Sequence, residues 1–158
     1  MSPWSVADFQ PVEVRRLPLF HAPFKCAHAV RFERFLRGAQ QLSMTSDEAE
    51  LVAGAQFYTS LSSGDFEVCD FHDGNWSQIA EASIELLANL STFDPDAIGT
   101  RADAAFPGKG TDAAWLASLF WDPIVWRDGQ STVTNGQHRL CAIRASGAQR
   151  VIVFVSKL

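Results

Sequence analysis

Three cysteines in 158 residues, an odd number at irregular spacing, are too few for a disulfide framework. They predict a reducing compartment, the cytoplasm. No apolar run approaches the ~20 residues that a membrane-spanning helix needs. The first residues, with Trp4, Asp8 and Glu13, lack the basic region and apolar stretch of a signal peptide, so a protein with no membrane partner is expected. There is no internal repeat, no low-complexity tract, no Gly-x-Ser-x-Gly elbow and no Cys-His signature of a thiol hydrolase. Nucleophilic hydrolase chemistry therefore has no support.

Basic residues are nearly missing from the middle of the chain. Residues 43–104 hold twelve Asp and Glu against the single Arg101, whereas 13–37 hold six Lys and Arg against two acids and 105–158 hold six against three. The net charge of −5 thus conceals a basic start, an acidic middle and a mildly basic end. A non-specific nucleic-acid binder is usually basic overall. The acidic middle disfavours nucleic acid and favours a nucleotide or another small phosphorylated ligand. Residues 43–104 also offer an acidic surface to a protein partner. At 47% apolar the chain has enough to bury one core, and a single domain over 1–158 is expected.

Patterning predicts a strand over 12–19 and a helix over 27–41 whose apolar face is Phe32, Phe35, Leu36, Ala39 and Leu42. Arg31, Arg34 and Arg37 recur on another face, which is either solvated or turned to phosphate. Thr45-Ser46-Asp47-Glu48 is a capping box opening a helix to about Leu61. A strand over 66–71 comes next, and Asn75-Trp76-Ser77-Gln78 repeats the capping pattern before a helix through Leu90. Residues 94–109, rich in Pro and Gly, read as the longest loop, either a surface connection or a flap. Thr111 or Asp112 caps a short helix through Trp121, closing a helical N-terminal part over 27–121.

The C-terminal segment is denser in signal. Residues 123–127 read as a buried strand, Asp128-Gly129 as a hairpin turn and 131–134 as the returning strand. Asn135-Gly136 breaks it, residues 137–146 are helical, Gly147 ends the helix and 151–155 is a last buried strand. The fold class is therefore α/β (α+β), a small mixed sheet with a helical N-terminal part. A strand, a tight glycine turn and a helix whose first turn carries His138 and Arg139 is a recipe for holding an anion. Free backbone N–H groups and the helix dipole face the ligand, and arginine can fork onto phosphate. The candidate phosphate- or nucleotide-binding residues are Asn135, Gly136, Gln137, His138 and Arg139. His138 is the candidate catalytic acid or base. An ion pair from Arg139 to Asp122 or Asp128 would use that residue differently. Trp126 beside the turn is either core or a platform for a base.

Cys26-x-His28 and Cys69-x-x-His72 have the residue types of a Cys₂His₂ zinc site. Their spacings are not those of a finger or knuckle, and buried cysteines with capping histidines account for them equally, so zinc is not expected.

Thr134-Asn135-Gly136-Gln137-His138-Arg139-Leu140, with the hairpin before it and the helix and strand after it, resembles the ParB/sulfiredoxin-like superfamily, whose N-terminal ParB-type domains share this order. The resemblance spans residues 123–155, about a fifth of the chain. It implies the family's small mixed sheet, with the strand expected over 12–19 as its first, and a site on the glycine turn. Sulfiredoxins carry their attacking cysteine where Gln137 stands, and Cys141 lies too far along the helix, so that activity is not implied. CTP-binding ParB proteins have an acid in the turn that Gly136-Gln137-His138-Arg139 lacks, and continue into a DNA-binding domain not expected after Leu158. Many members carry Asp where Asn135 stands. Free-serine kinases in the family use an upstream carboxylate as base, for which Glu13, Asp65, Glu67 and Asp128 are candidates.

Three functions are compatible with these residues. The first is a protein that binds nucleotide or phosphate, with ATP or CTP and Mg²⁺, as a phosphotransferase or nucleotide hydrolase. The second is a ParB-like nuclease or a DNA-modification accessory protein. The third is a non-catalytic protein-interaction module on the same fold.

Overall fold

The computed structural model describes residues 5–17, 41, 70–127 and 133–156. Among them lie four helices and a four-stranded mixed sheet, an α+β arrangement. No described helix is long and apolar enough to cross a membrane. The sequence expectations for 18–40, 42–69 and 128–132 fall outside the described residues. They include the helix over 27–41, the capping box at Thr45 and the Asp128-Gly129 turn.

The sheet is built around β4, Arg150–Ser156. Its run Val151, Ile152 and Val153 is fully buried, as a strand covered on both faces must be. β4 pairs antiparallel with β1 (Phe9–Glu13) and parallel with β2 (Val125–Arg127), and β2 pairs antiparallel with β3 (Val133–Asn135). The order is β1-β4-β2-β3. Pro11 lies in β1, an edge strand among the described residues and therefore a place where a missing N–H is tolerated. A strand was expected over 12–19, but β1 begins at Phe9 and gives way to a 3₁₀ turn, Val14–Arg16. Phe9 sets the register: it pairs with Phe154, and its ring packs 5.7 Å from Phe120 and 6.1 Å from Phe93.

The 3₁₀ turn Asp70–Asp73 stands where the end of the strand over 66–71 was expected. α1, Trp76–Ala88, then starts where the capping pattern placed it. Asn75 makes no side-chain cap; its side-chain carbonyl instead accepts from the Ser77 hydroxyl at 3.3 Å. Trp76, Ile79, Ala80, Ser83 and Leu86 recur at three- and four-residue steps and are all buried, so α1 turns one face to the core. Ser83 is polar on that face and fully buried. Its hydroxyl donates to the Ala80 carbonyl at 2.6 Å and accepts from Ile152 N–H of β4 at 3.4 Å. Ser83→Ala is expected to cost about 1 kcal/mol. The check is a lower urea midpoint at unchanged slope.

Residues 94–109 are not a loop. Most of the stretch is α2, Pro95–Ala105. Asp94 caps it, accepting from Asp96 N–H at 3.0 Å and Ala97 N–H at 3.4 Å, with Pro95 in the first turn where its missing N–H costs nothing. Ile98 and Ala102, four apart, are buried and hold it to the core. Gly99 weakens the local helical signal, and tertiary packing overrides it. α3, Gly110–Trp121, begins after Lys109 and buries Ala113, Leu116, Ala117, Leu119 and Phe120. It stops before Pro123, which disfavours helical backbone at Asp122.

Candidate functional site

The C-terminal unit obeys its turn chemistry closely. β3 ends at Asn135, Gly136 takes the left-handed conformation (φ 81°, ψ 24°), and α4 runs Gln137–Ala145 until Gly147, also left-handed at φ 75°. Gly136 is required twice over. A side chain rarely adopts its φ, and a Cβ there would lie 2.7 Å from Ile124 Cγ1 and 3.2 Å from Arg139 Nη2. The missing Cβ lets Ile124 and the Arg139 guanidinium pack directly against the turn.

The first intrahelical bond of α4 runs from Leu140 N–H to the Gly136 carbonyl at 2.9 Å. The N–H groups of Gln137, His138 and Arg139 therefore precede the ladder. No side chain caps this end. Uncapped N–H groups with the helix dipole behind them are an anion-attracting surface.

Arg139 is 5% exposed and its donors point into the protein. Nη1 donates to the Ser118 carbonyl and hydroxyl, both at 3.2 Å, and Nη2 to Asp122 Oδ2 at 3.4 Å. Of the two ion pairs open to Arg139, the one to Asp122 forms. Burial pushes the guanidinium below its usual value and Asp122 pushes it back up.

Asn135 is engaged in the same network. Its amide donates to Asp122 Oδ1 and to the Pro123 carbonyl, both at 2.8 Å. Asp122, one residue past α3, thus receives both Asn135 and Arg139 while its own side chain is 67% exposed. Gln137 donates to the Val133 carbonyl at a long 3.5 Å. His138 is half-buried, its ring 6.5 Å from Phe71 at an interplanar angle of 29°. Phe71 packs in turn on Trp115, which stacks on Trp76 at 5.6 Å. The structure therefore groups all five sequence-selected residues around one turn, with Arg139 buried and Asn135, Gly136, Gln137 and His138 half-buried.

Ser118 joins Asp122, already an ion-pair candidate from the sequence, at this site. Ser118 and Asp122, four apart at the end of α3, receive the arginine. Their i, i+4 spacing just before Pro123 was the available signal. Cys141, buried on α4, places Sγ 3.5 Å from His72 Nε2. Cys26, His28 and Cys69 lie outside the described residues. Among the described ones no group of three or more ligand-type side chains could hold a metal ion. Trp126 is 7% exposed, a core residue and not a stacking platform.

No protein-family model, no curated protein and no solved structure matches the chain. The likeness to the ParB/sulfiredoxin-like superfamily therefore rests on the residues of this turn and the elements around it.

Proposed function

We propose that the chain is a cytoplasmic protein of ParB/sulfiredoxin-like type that binds a nucleotide or another small phosphorylated ligand at the start of α4. The observation that carries this reading is the start of α4: a helix end with no side-chain cap and the buried Arg139 guanidinium beside it. The N–H groups of Gln137 and His138 would meet phosphate oxygens directly. Arg139 adds a fixed positive charge from beneath, held in place by Ser118. His138, on the same turn, is the group placed to move a proton in phosphoryl transfer or hydrolysis, and Mg²⁺ brought with the ligand would supply charge neutralisation.

The test is a thermal-shift panel of ATP, CTP and inorganic phosphate, each with and without Mg²⁺. A ligand at a hundredfold its Kd stabilises the fold by about 2.7 kcal/mol. For a chain of this size that raises Tm by roughly 5–10 °C. A rise with at least one of the probes is expected; a flat panel would end the phosphate reading.

A non-catalytic interaction module is the second reading. It is favoured by Arg139 being fully engaged within the chain and by the exposed acids Glu81, Glu85, Asp94, Asp96 and Asp103 on and around α1 and α2. It is the reading a flat panel would leave standing.

A further inference from the structure

Helices α1 and α2 each pack more on α3 than on one another, and a cleft of about 280 Å³ remains between them. Its room comes from small side chains: Ala82 of α1 and Ala104 and Ala105 of α2 line it, and the fully buried Leu116 of α3 closes it toward the core. Glu85, three residues after Ala82, and Arg101, three before Ala104, share the helix faces of these alanines and bring one charge of each sign to the cleft. Both are exposed, and among the described residues neither forms an ion pair. Arg101 is also the one basic residue between positions 43 and 104, a stretch with twelve acids. A lone cation there adds nothing to the net charge that keeps a protein soluble, whereas on a cavity wall it can meet an anionic group.

We infer that this cleft binds a small zwitterion with an apolar body, the class to which the apolar α-amino acids belong. Arg101 meets the ligand's carboxylate, Glu85 meets its ammonium group, and the body lies on the alanines and Leu116. The volume stands at the lower end of the ~300–1,000 Å³ of small-molecule sites, which suits a single amino acid and not a peptide. The paired charges also select. An anion without an ammonium group is repelled by Glu85, and a cation without a carboxylate by Arg101. None of the lining residues lies on α4, so the site is independent of the phosphate reading above.

The experiment is calorimetric titration of three probes: L-leucine, N-acetyl-L-leucine, which keeps only the carboxylate, and L-leucinamide, which keeps only the ammonium group. The wild type is expected to bind leucine about threefold or more tighter than either analogue, the effect that exposed ion pairs give. Each charge-removing variant should erase one preference. Glu85→Gln should bind leucine and N-acetyl-leucine alike, and Arg101→Gln should bind leucine and leucinamide alike. Ala104→Leu, at an exposed position that tolerates a good helix former, fills the cleft and should abolish leucine binding. Asp103→Asn, on α2 but outside the cleft, should leave it unchanged. Thermal melts of the same samples identify any variant that fails to fold, and either charge variant alone suffices for the comparison. No binding of leucine, equal binding of all three probes by the wild type, or leucine binding that Ala104→Leu and both charge variants leave intact would each overturn the inference. Every one of those results leaves the phosphate reading standing.

Discussion

Arg139→Ala is expected to abolish phosphate binding and to destabilise the fold by about 2–4 kcal/mol, whereas Arg139→Met should abolish binding alone. The alanine variant leaves a void in a position only 5% exposed and strips the Ser118 carbonyl and hydroxyl of their shared donor. Cavity formation at a buried site costs about 2–4 kcal/mol, while the Ser118 carbonyl keeps its bond from Asp122 N–H at 3.0 Å. The broken ion pair adds little, because Asp122 is two-thirds exposed and recovers its hydration. Methionine refills most of the volume with an unbranched, adaptable side chain, and apolar replacements of buried charges are often neutral or stabilising. Its stability should fall within about 1 kcal/mol of wild type. Urea unfolding and phosphate titration on the two variants separate the structural and binding roles of one side chain. A methionine variant that still bound phosphate would show that the guanidinium supports the turn and nothing more.

Gly136→Val should be the most damaging single substitution at the turn, at about 3–5 kcal/mol. Left-handed backbone costs a side-chain-bearing residue roughly 1–2 kcal/mol, and more for a β-branched one. The new Cβ would lie 2.7 Å from Ile124 Cγ1 and 3.2 Å from Ile124 Cα, so backbone as well as side chain must move. Overpacking of that kind adds about 1–3 kcal/mol. Gly147→Ala is the matched control, since it has a similar φ of 75° and no heavy atom within 4 Å of the added carbon. It should cost only the backbone share, about 1–2 kcal/mol. If the two proved equally mild, close contact with Ile124 would not be what keeps position 136 a glycine.

The C-terminal unit is legible because its signals are local. Asn-Gly at the end of β3, Gly147 after α4 and the apolar run of β4 fix boundaries through backbone conformation and burial, and the structure matches them to within a residue or two. Residues 94–109 mislead because Pro and Gly count as breakers in a plain reading. Their meaning depends on place: Pro95 in a first turn behind an Asp cap opens a helix. Residues 12–19 mislead for the opposite reason, since Val12, Val14 and Leu17 are apolar and buried at spacings that a short strand end and a 3₁₀ turn satisfy together. At the site, residue types are readable and directions are not. Whether Arg139 reaches outward or inward depends on where α3 ends, and no spacing within the turn itself carries that. Nor does sequence bring His72 to Cys141, two residues joined only by the packing of a short turn on α4.

Pro11 pairs with Ile152 and Phe9 with Phe154, so the sheet joins segments far apart along the chain. The β2, β3, α4 and β4 elements, by contrast, are neighbours along the chain. Among the described strands β1 is therefore the first to be synthesised and must wait for β4 to find its partner. At a ribosomal rate of ~5–20 residues per second it waits roughly seven to thirty seconds for β4. Closing so long a loop is slow relative to local pairing. During that interval the apolar ring of Phe9 has no Phe154 to cover it, which leaves an unpaired, partly apolar strand open to aggregation.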